Sequence, residues 1–402
     1  MGHQTTRLAR GLSFPESYAG AMLITEARRI GEEVAGKWAD EVDREARFPA
    51  ETAAALRASG HLGALVPPAW GGPGTSLVEM ADAVAAIAEH CASSGLIFAM
   101  HQIQVACLTR HGTDAARDAL LPRIAAGELL LANANSEIGL GGERRSSICA
   151  LEPIDGGFHL EKQASTVSYG EYADAILATA RRHPESPAHD QVMVVCMPPS
   201  LRLKPTGEWD TLGLRGTCSK PCLLVADVPS ELVIADYPDV FMRTSLPVSA
   251  VLLSAVWRGI AEAGARRAHA SVRAQARKNR GDSSQAAPPL SALRLAELSV
   301  ILHQLREVVA GGALEYERYK DTPEVETLHF SGRMDNLKLS SSTLVLKVVQ
   351  QALAICGFAG YHNHSPFSMA RIMRDAAAAP LMVNNDRALQ ATAQTLLVRK
   401  EL

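Results

Sequence analysis

Apolar residues recur at three-and-four spacing over positions 18–125, give way to short alternating runs over 129–234, and return to helical spacing from 244 onward. In the first stretch, 51–59 is Ala-rich with Leu56 inward, and 77–90 carries a clear apolar stripe. Between them, Val66-Pro67-Pro68-Ala69-Trp70-Gly71-Gly72-Pro73-Gly74 is turn-forming by composition. The middle stretch holds β-type runs at 158–160, 175–180, 191–197 and 223–228, punctuated by Gly, Pro and Asp. The last stretch predicts long helices at 246–276, 290–319, 330–356 and 387–402, with a linker at 281–289. The expected architecture is α+β: a helical domain (1–127), a β-barrel domain (128–238) and a C-terminal four-helix bundle (239–402), meeting at one crevice.

Composition narrows the function classes. The chain has 402 residues, 47% hydrophobic and 21% charged, with a formal net charge of −3. Nothing in that balance calls for a nucleic-acid or membrane partner, and the basic run at 266–280 lies on a helical pattern. Seven scattered cysteines read as buried thiols in a reducing cytosol, so a cytoplasmic protein is expected. His362 and His364 lack a third ligand, and no metal site is read.

Several segments, in order, resemble the acyl-CoA dehydrogenase flavoprotein superfamily. Leu131-Ala132-Asn133-Ala134-Asn135-Ser136-Glu137, followed by Gly139, Gly141 and Gly142, looks like that family's T-E-P-x-x-G-S-D strand and loop. Thr166-Val167-Ser168-Tyr169-Gly170 is similar to its W-I-T-N-G strand, and 209–219 (W-D-T-L-G-L-R-G-T-C-S) to its G-x-R hairpin. Arg277, with Arg280 as competitor, stands where the family's arginine reaches the flavin pyrophosphate. Gly357, in Cys356-Gly357-Phe358-Ala359-Gly360, resembles a turn at the adenine end of a neighbouring subunit's FAD. Arg374-Asp375 and the segment from Pro380 to Asp386 close the order.

The resemblance implies an acyl-CoA dehydrogenase-like fold, a homotetramer and an FAD cofactor (FMN or a dissociable reduced flavin in a monooxygenase). Flavin contacts are expected from Asn133, Asn135, Ser136, Thr166, Ser168, Arg277, Gly357 and Asn385. Short hydroxyls on strands supply rigid donors of the kind that an isoalloxazine needs. Arg144, Arg145 and Val383 are expected on the substrate side, the two arginines toward a CoA 3′-phosphate or a carrier-bound phosphopantetheine. A flavin reductase or an electron-transfer flavoprotein is the expected redox partner.

One position departs from the pattern. Counting nine residues from Arg374, where most of the family carries its catalytic glutamate, reaches Val383; the other place used, near Ser249, holds no carboxylate either. The nearest acid, Asp386, serves only if the segment shifts. His101, on the helix expected to reach toward the flavin, is the second candidate catalytic residue. Three functions stay open: FAD-dependent oxidation of an acyl thioester with an unusual base, monooxygenation by reduced flavin and O2, and thioester binding without turnover.

Overall fold

A computed structural model describes residues 18–141, 143–278 and 289–398. The N-terminal part is helical: α1 (Tyr18–Ile30), α2 (Gly36–Glu45), α3 (Ala50–Ala58), α4 (Leu77–Ala88), α5 (Ala92–His111) and α6 (Asp114–Ala125). The start of α4 is set locally. Ser76 accepts from the Glu79 N–H while the Glu79 carboxylate accepts from the Ser76 N–H, so two free amides at the helix start find partners. Thr113 caps α6 in the simpler way, accepting from the Ala116 N–H.

Among the described residues, eight strands follow: β1 (Leu131–Ala134), β2 (Leu151–Ile154), β3 (Gly157–Val167), β4 (Ala175–Arg181), β5 (Gln191–Cys196), β6 (Arg202–Pro205), β7 (Lys220–Pro229) and β8 (Val233–Ile234). They make two four-stranded sheets, ordered β1-β4-β5-β8 and β2-β3-β7-β6. Among the described residues, the β1–β4 ladder is parallel, as is the isolated Ala150–Arg181 bridge, and the remaining ladders are antiparallel. β5 is buried along its whole length and β4 nearly so, which suits continuous apolar runs covered on both faces. β7 alternates between buried and partly exposed positions, as a half-covered strand does.

The C-terminal part begins with α7 (Tyr237–Val240) and α8 (Leu246–Lys278), then α9 (Leu290–Tyr319), α10 (Leu328–Cys356), α11 (Phe358–Tyr361), α12 (Ala370–Ala376) and α13 (Asn385–Val398). α8 is the common wall of the molecule, packing on α4 and α5 on one side and on α9 and α10 on the other. Gly259 permits that approach. A Cβ there would lie 2.5 Å from the Ala85 carbonyl oxygen of α4. The segment Tyr237–Arg277 and α10 are long and apolar enough to cross a membrane by composition, but the apolar window of the first is 83% buried within this fold. Residues 281–288 of the expected linker 281–289, together with Arg280, Gly142 and the last four residues, lie outside the described residues.

Candidate active site

A cavity of about 1040 Å³ opens where the three parts meet, walled by β1, β3, the 209–219 hairpin, α5, the start of α8, and α10 with the α12–α13 segment. Five of the expected flavin contacts line it together: Asn133, Asn135, Ser136, Thr166 and Ser168. Their hydroxyls are cross-tied. Ser136 Oγ lies 3.2 Å from Thr166 Oγ1 and donates to the Thr166 carbonyl at 3.3 Å. Ser168 Oγ accepts from Ser219 Oγ at 2.8 Å, and Ser219 in turn lies 2.8 Å from Thr217 Oγ1. Ser168 stands at the cavity end of that chain, where its hydroxyl can hydrogen-bond a ligand.

Asn135 Oδ1 supplies the opposite polarity: it is buried and has no donor among the described residues. A buried amide oxygen without a partner is costly unless a ligand N–H satisfies it. Hydroxyl donors, one open amide acceptor and the apolar wall of Leu96, Met100 and Ile103 fit the edge and ring of an isoalloxazine.

The hairpin that completes this wall is held from outside. Buried Asp375 accepts the Leu214 N–H at 2.7 Å, and Arg374 Nε donates to the Leu212 carbonyl at 3.0 Å. Between these two anchors, Gly213 lies against α12. A Cβ at that position would be 2.2 Å from the Arg374 carbonyl oxygen, so no larger residue fits. Leu214 and Cys218 both take positive φ, and Leu214 O accepts from Thr217 Oγ1 at 2.9 Å, the far end of the hydroxyl chain. α12 is pinned in turn to α2 through the pairs Arg371–Asp40, at 2.9 Å, and Arg374–Asp43. Burial pushes the Asp375 carboxyl up to about 6, and Arg371 pulls the other way. Asp375 is therefore an anchor for the hairpin rather than the helix punctuation that its position beside Arg374 suggests.

Both places where a catalytic carboxylate was sought face this cavity. Val383 and Ser249 line it, and Val383 does so at φ +49°, a left-handed conformation rare for a β-branched residue. The two acids that do line the cavity are Glu143 and Asp335. Glu143 accepts the Arg145 N–H at 2.8 Å, whereas Asp335 receives no hydrogen bond from a described residue. Burial raises Asp335 to about 6 despite the nearby charges of Arg144, Arg145 and Lys338. Arg144 and Arg145 line the cavity as expected, with the Arg144 guanidinium 5.0 Å from the centre of the Phe241 ring.

The other expected residues lie elsewhere. His101 is fully buried; its Nε2 donates to the Leu62 carbonyl at 2.9 Å and its Nδ1 accepts the Leu131 N–H at 2.9 Å. Both nitrogens are committed to backbone, the ring is held neutral with its pKa pushed down to about 4 by burial, and it does not reach the cavity. Helix periodicity explains this: Met100 and Ile103 take the cavity face of α5. Asp386 is exposed in the first turn of α13, off the cavity, and so is not placed as a base. Asn385 is turned to Lys338 and Ser342, and its neighbour Asn384 lines the cavity instead. Arg277 is exposed near the end of α8, and Gly357 forms the exposed turn after α10; neither lines this cavity. Tyr169, in the strand compared above, turns inward to donate to the Leu131 carbonyl at 2.7 Å.

Sequence reasoning missed Asp335. Leu328, Ser331, Gly332 and Asp335 sit at i, i+3, i+4 and i+7, so one face of α10 enters the cavity. That stripe, with a carboxylate at an inward position, was the available signal.

Comparison with known proteins places this geometry. The amino sugar nitrososynthase DnmZ of Streptomyces peucetius is 28% identical over 393 residues, covering 92% of this chain and 91% of that protein. Butyryl-CoA dehydrogenase from Megasphaera elsdenii superposes with a TM-score of 0.81 at 20% identity, covering 96% of this chain and 100% of that one. The FMN-bound dibenzothiophene monooxygenase TdsC from Paenibacillus sp. A11-2 also gives 0.81, at 21% identity over 94% and 97% of the two chains. Residues 12–128 match the acyl-CoA dehydrogenase N-terminal domain and residues 239–382 its C-terminal domain, and the chain belongs to the acyl-CoA dehydrogenase family.

Proposed function

We propose that this protein is a flavin-dependent monooxygenase that uses reduced flavin and O2, built on the acyl-CoA dehydrogenase fold. The observation that carries the reading is that both base positions face the cavity and hold Val383 and Ser249, neither able to take an α-proton. A relative that matches 92% of the chain is named a nitrososynthase, which supports the same direction, while one that matches 87% is named a probable acyl-CoA dehydrogenase. The bound flavin, FMN or FAD, supplies the activation of oxygen. Ser168 and Asn135 would hold the flavin, the one through its hydroxyl and the other through its unpartnered amide oxygen, with Ser136 and Thr166 tied together beside them. Leu96, Met100 and Ile103 from α5, with Leu253, Met382 and Val383 opposite, exclude water from the reacting region. A separate flavin reductase is the partner that this chemistry needs.

The test supplies reduced FMN, isotopically labelled O2 and two probes of the classes that the relatives' names give, an amino sugar and dibenzothiophene. Label in a product requiring both reduced flavin and oxygen supports the reading; absence of oxygenated product from either probe, alongside dehydrogenation of an acyl-CoA, overturns it. A specific observation favours a second reading. Asp335 is an open carboxylate on the cavity wall, raised to about 6, and is the group that would act as base if the chain oxidises an acyl thioester with an electron-transfer flavoprotein as acceptor.

A further inference from the structure

We propose that Arg144, Arg387 and Asp335 form a mixed-charge recognition site at one end of the cavity, for a phosphate ester whose body carries hydroxyl or amino donors. The inference rests on the cavity being the reaction site of the oxygenase reading, and it names the class of substrate that reaches it.

The residues converge from three separate elements. Arg144 comes from the loop after β1, Arg387 from the first turn of α13 and Asp335 from the inward face of α10, and all three line the cavity. They share one end of it. A Cβ on Gly141 would meet the Arg387 guanidinium at 3.1 Å, Glu143 feels the charge of Arg387, and Asp335 feels those of Arg144 and Arg145.

The chemistry at this end is uncommitted. Among the described residues, Arg144 and Arg387 form no salt bridge, whereas the cavity-lining Arg374 is paired with Asp43. Arg144 is nevertheless oriented, by the face of Phe241 at 5.0 Å. Of the local acids, Glu143 is occupied by the Arg145 N–H and lies 3.7 Å from the Arg145 guanidinium. Asp335 accepts from no described residue. An oriented guanidinium with open N–H groups matches phosphoryl oxygens, and a second one across the opening closes the fork.

Asp335 then sets what accompanies the phosphate. Its charge opposes a bare anion but accepts a hydroxyl or amine hydrogen from an adjacent group. The remaining titratable neighbour is Lys338, whose cation is spent on Asn385 and lies 5.8 Å from the Trp257 ring centre. An acyl chain gains nothing from such a wall. In an apolar tail pocket each buried methylene would tighten binding about fourfold.

Calorimetry of the full-length, FMN-loaded protein at a pH well above that of Asp335 protonation tests the site with glucose 1-phosphate, inorganic pyrophosphate and CoA. Glucose 1-phosphate is expected to bind and to weaken about tenfold in Arg144→Met and in Arg387→Met. Asp335→Asn is expected to separate the probes: pyrophosphate and CoA bind tighter because a like charge is gone, while glucose 1-phosphate loses its advantage over pyrophosphate. A merely structural Asp335 would move all three together, and that outcome overturns the proposal. So does glucose 1-phosphate binding that neither arginine substitution changes, no binding of it at all, or acyl-CoA affinity that climbs with chain length. Equilibrium binding needs no turnover. If the site stands while no oxygenated product forms, only the oxygenase reading falls.

Discussion

His101 shows how a residue of catalytic type becomes structural through its hydrogen bonds. The ring joins the Leu62 carbonyl to the Leu131 amide, so it ties the turn before α4 to the first strand of the flavin wall. Replacing it by Ala strands two buried backbone groups and is expected to cost about 2–4 kcal/mol, read from urea unfolding, with flavin affinity in the folded fraction preserved. Its titration predicts a direction. The folded-state pKa of about 4 lies below the ordinary value of 6.5, so the unfolded chain takes the proton first. The contribution of His101 is full above about pH 6.5 and is lost as pH falls from there through 4. His90 and His111, both pushed to about 4, act with the same sign. Stability that held constant between pH 7 and 4.5, followed by calorimetry, would contradict this. Val383 permits a complementary test. Val383→Glu places a carboxylate where the cavity has none, and no anaerobic bleaching of its flavin by butyryl-CoA is expected, because the oxygenase reading assigns the pocket to other chemistry. Bleaching would show that the base alone was missing.

At the scale of elements, α12 is the short helix on which the site depends. It grips the 209–219 hairpin at Leu212 and Leu214, is anchored to α2, and leads directly into the Val383 wall. Asp375→Ala removes the acceptor of the Leu214 N–H. The predicted result is a loss of FMN affinity of about tenfold or more with native circular dichroism retained. Asp375→Asn, which keeps an acceptor oxygen, is expected to recover most of it; equal loss in both variants would mean that the charge, not the hydrogen bond, holds the hairpin. These contacts also show what the sequence could and could not reveal. Periodicity exposed the long helices and the four principal strand runs, because burial of one face is a local pattern. The short strands β2, β6 and β8 were missed, since four residues or fewer carry too little pattern to register. The hydroxyls of Ser136, Thr166 and Ser168, at the ends of β1 and β3, were legible through motif order. Asp335 was not, because nothing local tells which face of a helix as long as α10 meets a cavity.

For the whole molecule, the cavity lies where the sheets, the N-terminal helices and the bundle meet, and each part brings a different kind of chemistry. The strands and the residues that follow them bring hydrogen-bonding groups, α5 brings an apolar wall, and the bundle brings Asp335, Arg387 and Val383. The fold is that of the acyl-CoA dehydrogenase family, and under the oxygenase proposal the change of function would be carried by a few side chains on that frame. The most direct test of that claim is anaerobic mixing of the flavin-loaded wild-type protein with butyryl-CoA, followed by absorbance at about 450 nm, the oxidised-flavin band. The flavin is expected to stay oxidised. Bleaching on mixing would contradict it, make the chain a dehydrogenase, and turn attention to Asp335 as the base.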